Sequence, residues 1–130
     1  MLVISDTSPL IALVRIGHVD VLPRLYGSVV IPTEVAGELA SRKRPSEVQA
    51  FIANPPTWLS VRSPSTIEEI QDLDPGECAA ISLARELGAD LLLIDETKGR
   101  EAAISRHIRT ARTAAVLFDA ANAGALPNLK

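Results

Sequence analysis

The sequence has little cysteine and few aromatic residues, and each shortage excludes a class of protein. Its one cysteine, Cys78, can form no internal disulfide and has no second cysteine with which to hold a metal ion. This usage is typical of a reducing compartment, so we expect a cytoplasmic protein. Aromatic residues make up 3% of the chain, and the core must therefore consist mainly of Leu, Ile, Val and Ala.

Long apolar runs are also missing. No apolar stretch approaches the length that a helix needs to span a bilayer. The N-terminal segment MLVISDTSPLIALVRIG is apolar, but it lacks a basic leader and carries Asp6 in its middle, which argues against a signal peptide. We therefore expect neither a membrane span nor a membrane partner.

The rest of the composition is that of one folded domain. The chain has 130 residues, of which 47% are hydrophobic and 22% are charged, without internal repeats, low-complexity tracts or a linker. These features predict a single domain over residues 1–130. The formal net charge is −3, whereas a protein that coats nucleic acid is usually basic. Cations gather in residues 42–44 and 98–112, where they could meet phosphates, although a solvated helix face is the commoner explanation.

Short apolar runs alternate with helical patterns along the chain. The runs LVIS, SVVI, WLSVR and LLLI predict strands, and DPGECAAISLARELG predicts a helix that Asp74 caps and Gly88 ends. A shorter helix is predicted over residues 65–73 and a weak strand near residues 108–110. Because the strands are too continuously apolar to have a wet face, they predict a parallel sheet covered on both sides. The predicted fold class is α/β, a three-layer α/β/α sandwich.

Carboxylates stand where the predicted strands end. Asp6 follows LVIS, and Asp95 and Glu96 follow LLLI. The carboxyl ends of parallel strands lie at one edge of the sheet, where ligands bind in open α/β folds. Helices that follow strands begin at this same edge. Glu77, at the third position of one such helix, and Glu38, one turn beyond Glu34 on the same face of another, can therefore join the same crevice.

Each acid also has an ordinary explanation. Asp6 could cap the helix that follows it, Glu77 fits a capping box, and Glu38 could be a solvated helix charge. Asp95 and Glu96 could be acids favoured by a helix dipole. However, four acids at one edge cannot all stay ionised in a partly dry pocket without a cation. Oxygen ligands without a cysteine or histidine cluster suit Mg²⁺ or Mn²⁺, which can activate water and neutralise a phosphodiester.

Four segments in combination resemble the PIN-domain family. They are DTSPLIAL, IPTEVAGEL, LDPGECAAISLARELGADLLLIDETKGR and RTARTAAVL, in the family's order. They look most similar to bacterial and archaeal members grouped with the VapC-type toxin ribonucleases. The resemblance implies a parallel sheet with helices on both sides and a Mg²⁺-dependent endoribonuclease. It also implies the toxin of a toxin–antitoxin pair, which acts on RNA, is held inactive by a cognate antitoxin and forms a homodimer.

The resemblance further implies the residues of the site. By motif position, the catalytic and metal-binding acids are Asp6, Glu38, Glu77 and Asp95, with Glu96 as a secondary metal ligand. Ser8 and Thr113 match small hydroxyl positions near the site. Arg100 matches a basic position where it could contact a substrate phosphate or form a structural ion pair. One position departs from the pattern, since relatives usually carry glycine where this chain has Arg112.

Two other functions are compatible with an α/β fold that has acids at the strand ends. A non-catalytic RNA- or protein-binding module could use the same fold, but the presence of all four main acids counts against it. A receiver-type domain would be phosphorylated on a strand-end aspartate, yet no lysine is placed to pair with a phosphorylated Asp6 and no Gly-rich phosphate loop is present. Cys78 is not expected to act as a nucleophile, because neither His18 nor His107 is near it in the sequence.

Overall fold

The computed structural model describes residues 1–126, and its strands and helices alternate as the sequence predicts. The elements in chain order are β1 (Val3–Ser5), α1 (Thr7–Arg15), α2 (Val21–Tyr26), β2 (Val29–Pro32), α3 (Thr33–Leu39), α4 (Ser46–Ala53), β3 (Leu59–Arg62), α5 (Pro75–Leu87), β4 (Leu91–Leu93), α6 (Thr97–Ser105), β5 (Thr110–Ala111) and α7 (Thr113–Asn122). The predicted domain extends to residue 130, and its last four residues lie outside the described part. That these residues form one domain stays a prediction.

The five strands form one parallel sheet in the order β3-β2-β1-β4-β5. β1 is central: Ile4 pairs with Val30 of β2, and Ser5 pairs with Leu93 of β4. The chain leaves β1 towards β2 and β3, and then returns to the other side of β1 to form β4 and β5. The strand order therefore reverses between β1 and β4, and a crevice is expected at their carboxyl ends.

Both faces of the sheet are covered by helices, which confirms the predicted α/β architecture. Side chains alternate along β1, so Val3 belongs to a core cluster with residues of α1, α2, α3, α4 and α7, whereas Ile4 belongs to a second cluster with residues of α5 and α6. The two core clusters consist almost wholly of aliphatic residues. In residues 1–126, no helix is both long and apolar enough to cross a membrane.

The prediction of a helix over residues 65–73 is wrong, because this segment is irregular and lies against α5. Three of its backbone N–H groups, those of Ser65, Glu68 and Ile70, donate to side chains of α5. Ser65 N–H donates to Glu86 Oε1 over 2.7 Å, and Glu68 N–H donates to Ser82 Oγ over 2.9 Å. Because these tertiary hydrogen bonds satisfy backbone N–H groups that a helix would otherwise pair, the segment is held in an irregular conformation.

Candidate active site

The carboxyl ends of β1 and β4 open into a polar cleft of about 330 Å³, which we call the acidic cleft. It lies at the switch in strand order, where the sequence predicts a site. Six carboxylates line it within the described residues, together with one cation, Arg44. The full lining is Asp6, Thr7, Ser8, Ile11, Glu38, Arg44, Asp72, Asp74, Glu77 and Glu96.

Asp6 is the most buried of these acids. It follows β1 directly, and its backbone N–H donates to Leu93 O over 2.9 Å, which ties it to β4. The residue is 4% exposed, and among residues 1–126 its Oδ1 atom has no hydrogen-bond partner. Burial raises the pKa of Asp6 from 3.8 to about 7, an N–H of Thr7 opposes this, and the carboxylates of Glu77 and Glu38 add to it. Asp6 is thus a buried acid that lacks a compensating charge.

Glu38 is held between the first turns of α1 and α5. The hydroxyl of Thr7 donates a hydrogen bond to Glu38 Oε1. On the other side is Gly76, where an added Cβ would lie 2.7 Å from Glu38 Oε1 and 2.8 Å from its Cδ. The missing side chain of Gly76 therefore makes room for this carboxylate beside α5.

Glu77 takes part in the capping box of α5 and also lines the acidic cleft, so both explanations that the sequence offers for it are compatible. Asp74 Oδ1 accepts from Glu77 N–H over 2.8 Å, and Glu77 Oε1 accepts from Asp74 N–H over 3.0 Å, so the capping box is formed. Glu77 is also 6% exposed and lines the acidic cleft. Burial is the largest cause that raises its pKa, and the carboxylates of Asp74, Glu96 and Glu38 also raise it. One oxygen thus caps α5, while the carboxylate as a whole adds to the cleft's negative charge.

Asp95 and Glu96 point to different surroundings. Glu96 lines the cleft, whereas Asp95 is not among the lining residues. Thr113 binds both oxygens of Asp95, with its N–H donating to Oδ1 over 2.7 Å and its hydroxyl donating to Oδ2 over 2.8 Å. Asp95 therefore joins the end of β4 to the start of α7, and its role as a metal ligand stays a prediction. Arg112 has ordinary extended angles, φ −84° and ψ 162°, so no glycine is required there.

The predicted substrate-binding residues are placed differently from one another. Ser8 lines the acidic cleft and is exposed, whereas Thr113 acts on Asp95. Arg100 does not line the cleft, and its Nε is buried without a hydrogen-bond partner in the described part of the chain. A structural ion pair for Arg100 is likewise not formed with any residue in 1–126.

Three charged residues line the cleft that the sequence did not predict as site residues: Asp72, Asp74 and Arg44. The sequence predicts Asp74 only as a helix cap and Arg44 only as part of a cluster of cations. The stretch DLDPGE does give a signal for Asp72 and Asp74, because it carries three acids within six residues, just before and inside the first turn of a helix. The position of Arg44 depends on the path of the loop after α3, for which the local sequence gives no signal.

The donor set of the cleft fits a hard divalent cation. In residues 1–126, no three Asp, Glu, His or Cys side chains are already arranged as a metal site. The side chains nevertheless offer carboxylate oxygens, and the buried Oδ1 of Asp6 lacks any partner within those residues. Oxygen donors with a net negative charge are the ligands that Mg²⁺ and Mn²⁺ prefer.

Comparisons with known proteins agree with the fold. No curated protein matches the chain. Among solved structures, it is similar to a PilT N-terminus domain protein, SSO1118, from the hyperthermophilic archaeon Sulfolobus solfataricus P2. The TM-score is 0.66 at 17% identity, over 100% of this chain and 98% of that chain, and this likeness shows the fold alone. The family model DUF3368, described as a PIN domain, matches residues 2–130. The chain therefore belongs to the PIN-domain family.

Proposed function

We propose that this chain is an endoribonuclease that requires Mg²⁺ or Mn²⁺ and hydrolyses RNA phosphodiester bonds at the acidic cleft. PIN domains are usually metal-dependent nucleases. The observation that carries the proposal for this chain is Asp6, a buried carboxylate with an unpartnered oxygen among other acids. Such a group is costly in a protein that binds no cation there, and it is useful in one that does.

Asp6, Glu38 and Glu77 are the residues that would hold the cation, with Glu96 at the exposed side of the cleft. A bound divalent ion supplies a more acidic water and neutralises charge on the phosphodiester. The protein's own part is to fix the ligands: Thr7 orients Glu38, and the capping box orients Glu77. Asp6 is partly protonated near pH 7, and it must release its proton to act as a ligand.

Asp95 belongs to the proposed site by its motif position. Its two hydrogen bonds from Thr113 also give it a structural duty at the start of α7. A carboxylate has about four lone-pair positions, so these bonds leave capacity for a further ligand. Substitution of Asp95 therefore tests chemistry and folding together, and Asp6 is the cleaner choice for the decisive variant.

The deciding experiment is a digest of a panel of labelled RNAs with purified protein, in Mg²⁺, in Mn²⁺ and in EDTA. We expect cleavage only with a divalent cation, and a loss of about a hundredfold or more in Asp6→Asn. Asp119→Asn, an exposed acid of α7 that does not line the cleft, is the matched control and should cleave normally. Divalent-independent cleavage, or full activity of Asp6→Asn, would contradict the proposal. RNA binding that needs no metal and survives Asp6→Asn, without cleavage, would instead support a non-catalytic binding module.

We further propose that the chain is a VapC-like toxin of the cytoplasm, paired with a cognate antitoxin and assembled as a homodimer. The motifs shared with that group support this role. Expression of the wild-type chain should arrest growth of the host cell, and Asp6→Asn should not. Co-expression of the antitoxin should restore growth, and light scattering should give twice the mass of one chain. Normal growth with active enzyme present would reject the toxin role and leave the nuclease proposal intact.

A further inference from the structure

Arg44 is held in place by hydrogen bonds, but its guanidinium forms no ion pair with a residue in 1–126. It lies in the loop between α3 and α4, and its Nε donates to the backbone oxygen of Glu38 over 3.0 Å. Its own backbone is also held, because Arg44 N–H donates to Ser41 O over 3.0 Å and Gln49 Nε2 donates to Arg44 O over 2.7 Å. The neighbours Arg42 and Lys43 are exposed, whereas Arg44 is half-buried at the wall of the acidic cleft.

The terminal nitrogens of Arg44 are not used inside the described part of the protein. Neither donates a hydrogen bond to a residue in 1–126, and no carboxylate there lies within 4.0 Å of them, although six carboxylates line the same cleft. A guanidinium whose Nε is occupied still presents its two terminal NH₂ groups in one plane. This fork matches two oxygens of a phosphate.

We propose that Arg44 binds a backbone phosphate of the RNA substrate beside the acidic cleft. This inference rests on the proposed nuclease function and names a substrate contact for it. An anionic backbone that approaches six carboxylates is repelled, and a cation at the cleft wall offsets that repulsion. Because Nε is bonded to the backbone of Glu38, the phosphate would be held at a fixed distance from a residue of the proposed cation site. Glu38 would then position both the ion, through its side chain, and the RNA, through its carbonyl.

The test compares Arg44→Gln with Arg42→Gln, which removes the same charge from an exposed position in the same loop. With RNA in Mg²⁺, Arg44→Gln should raise KM about ten- to a hundredfold, while kcat changes little. Arg44→Lys keeps the charge but loses the fork, and it should recover only part of the affinity. Arg42→Gln should leave KM within about twofold. Equal effects of the two Gln variants would overturn the inference.

A second measurement separates this contact from cleavage itself. Binding of a fluorescent single-stranded RNA of mixed sequence is followed by anisotropy in the Asp6→Asn background, with Arg44→Gln or Arg42→Gln added. Only Arg44→Gln should weaken binding, and it should lower the slope of log affinity against log salt by about 0.7, as one lost phosphate contact does. If the wild type cleaves no RNA but this loss persists, the nuclease proposal fails and the Arg44 contact stands. If the wild type cleaves RNA and this loss is absent, the contact fails alone.

A structural effect of Arg44 on Glu38 would give a different result. In that case Arg44→Gln would reduce the thermal stabilisation that Mg²⁺ gives to the RNA-free protein, and would lower kcat rather than raise KM. We expect that stabilisation to be unchanged. Its loss, with KM unaltered, would assign Arg44 to the cation site and reject the phosphate contact.

Discussion

In the folded protein without a cation, burial makes the ionised form of Asp6 less favourable than it is in an exposed aspartate. Its pKa is about 7 in the folded chain and 3.8 in an exposed aspartate. Between these values the folded state binds more protons than the unfolded state. The free energy of unfolding therefore falls as the pH rises from about 4 to about 7, and it levels off above pH 7. The buried carboxylate of the acidic cleft is thus a source of instability at neutral pH.

Asp6→Asn should remove this pH dependence. In EDTA at pH 8, we expect the variant to be more stable than the wild type by up to about 4 kcal/mol, with little difference near pH 4. Urea unfolding at several pH values measures the effect. The control is Asp119→Asn, whose stability should follow the wild-type curve. Parallel curves for wild type and Asp6→Asn would show that Asp6 titrates as an ordinary acid.

Gly76 is the second residue on which the cleft depends. In Gly76→Ala, the new Cβ would lie 2.7 Å from Glu38 Oε1, so the Glu38 carboxylate must move. Because that group is the end of a flexible side chain, the fold should persist, while Mg²⁺ affinity and cleavage fall about tenfold or more. Gly37→Ala is the matched control: its Cβ meets nothing within 4 Å, and alanine favours a helix by up to about 1 kcal/mol. Equal activity of the two variants would mean that Glu38 does not need its present position.

At the scale of elements, the hydrogen bonds between Asp95 and Thr113 join β4 to α7. Thr113→Val keeps the shape of the side chain but leaves Asp95 Oδ2 without its hydroxyl partner. We expect the free energy of unfolding to fall by about 1–2 kcal/mol, and Thr113→Ser, which keeps the hydroxyl, to lose less than half as much. Urea unfolding in EDTA measures this without interference from a cation. A loss in Thr113→Ser as large as that in Thr113→Val would show that the hydroxyl contributes no more to stability than the methyl group does.

The elements that the sequence predicts well are those whose signals are local. α5 begins after Asp74 and ends at Gly88 as expected, because a capping box and a left-handed glycine act within a few residues. The irregular conformation of residues 65–73 could not be predicted from local sequence signals. Its backbone hydrogen bonds go to side chains of α5 such as Glu86 and Ser82, and such partners depend on the tertiary fold.

The same division applies to the site. Asp6 follows a strand and Glu77 lies in the first turn of a helix, so the topology of a parallel sheet brings both to one edge. Glu38, near the end of α3, lies beside them. Which way Asp95 turns is set by Thr113 at the start of α7, 18 residues later in the chain. The position of Arg44 is set by the loop after α3 and by the hydrogen bond from Arg44 Nε to the backbone oxygen of Glu38. Neither the orientation of Asp95 nor the position of Arg44 can be predicted from the residues next to it in the sequence.

At the scale of the whole molecule, a divalent cation should act as a stabilising ligand of the folded state. At a Mg²⁺ concentration about a hundred times its Kd, the free energy of unfolding should rise by about 2.7 kcal/mol. The effect should be larger at pH 8 than at pH 5. Below its pKa of about 7, Asp6 is mostly protonated, so the ion must compete with a proton for the same oxygens.

Thermal unfolding with Mg²⁺, against NaCl of matched ionic strength, tests this linkage without any assay of RNA cleavage. The wild type should gain several degrees in Tm at pH 8 and clearly less at pH 5, whereas Asp6→Asn should gain little at either pH. A gain that NaCl reproduces would come from screening among the cleft's carboxylates instead of from a bound ion. A specific gain of the same size at both pH values would mean that Asp6 is not a ligand. In that case the acids of the cleft would hold the cation without Asp6, the residue that burial affects most.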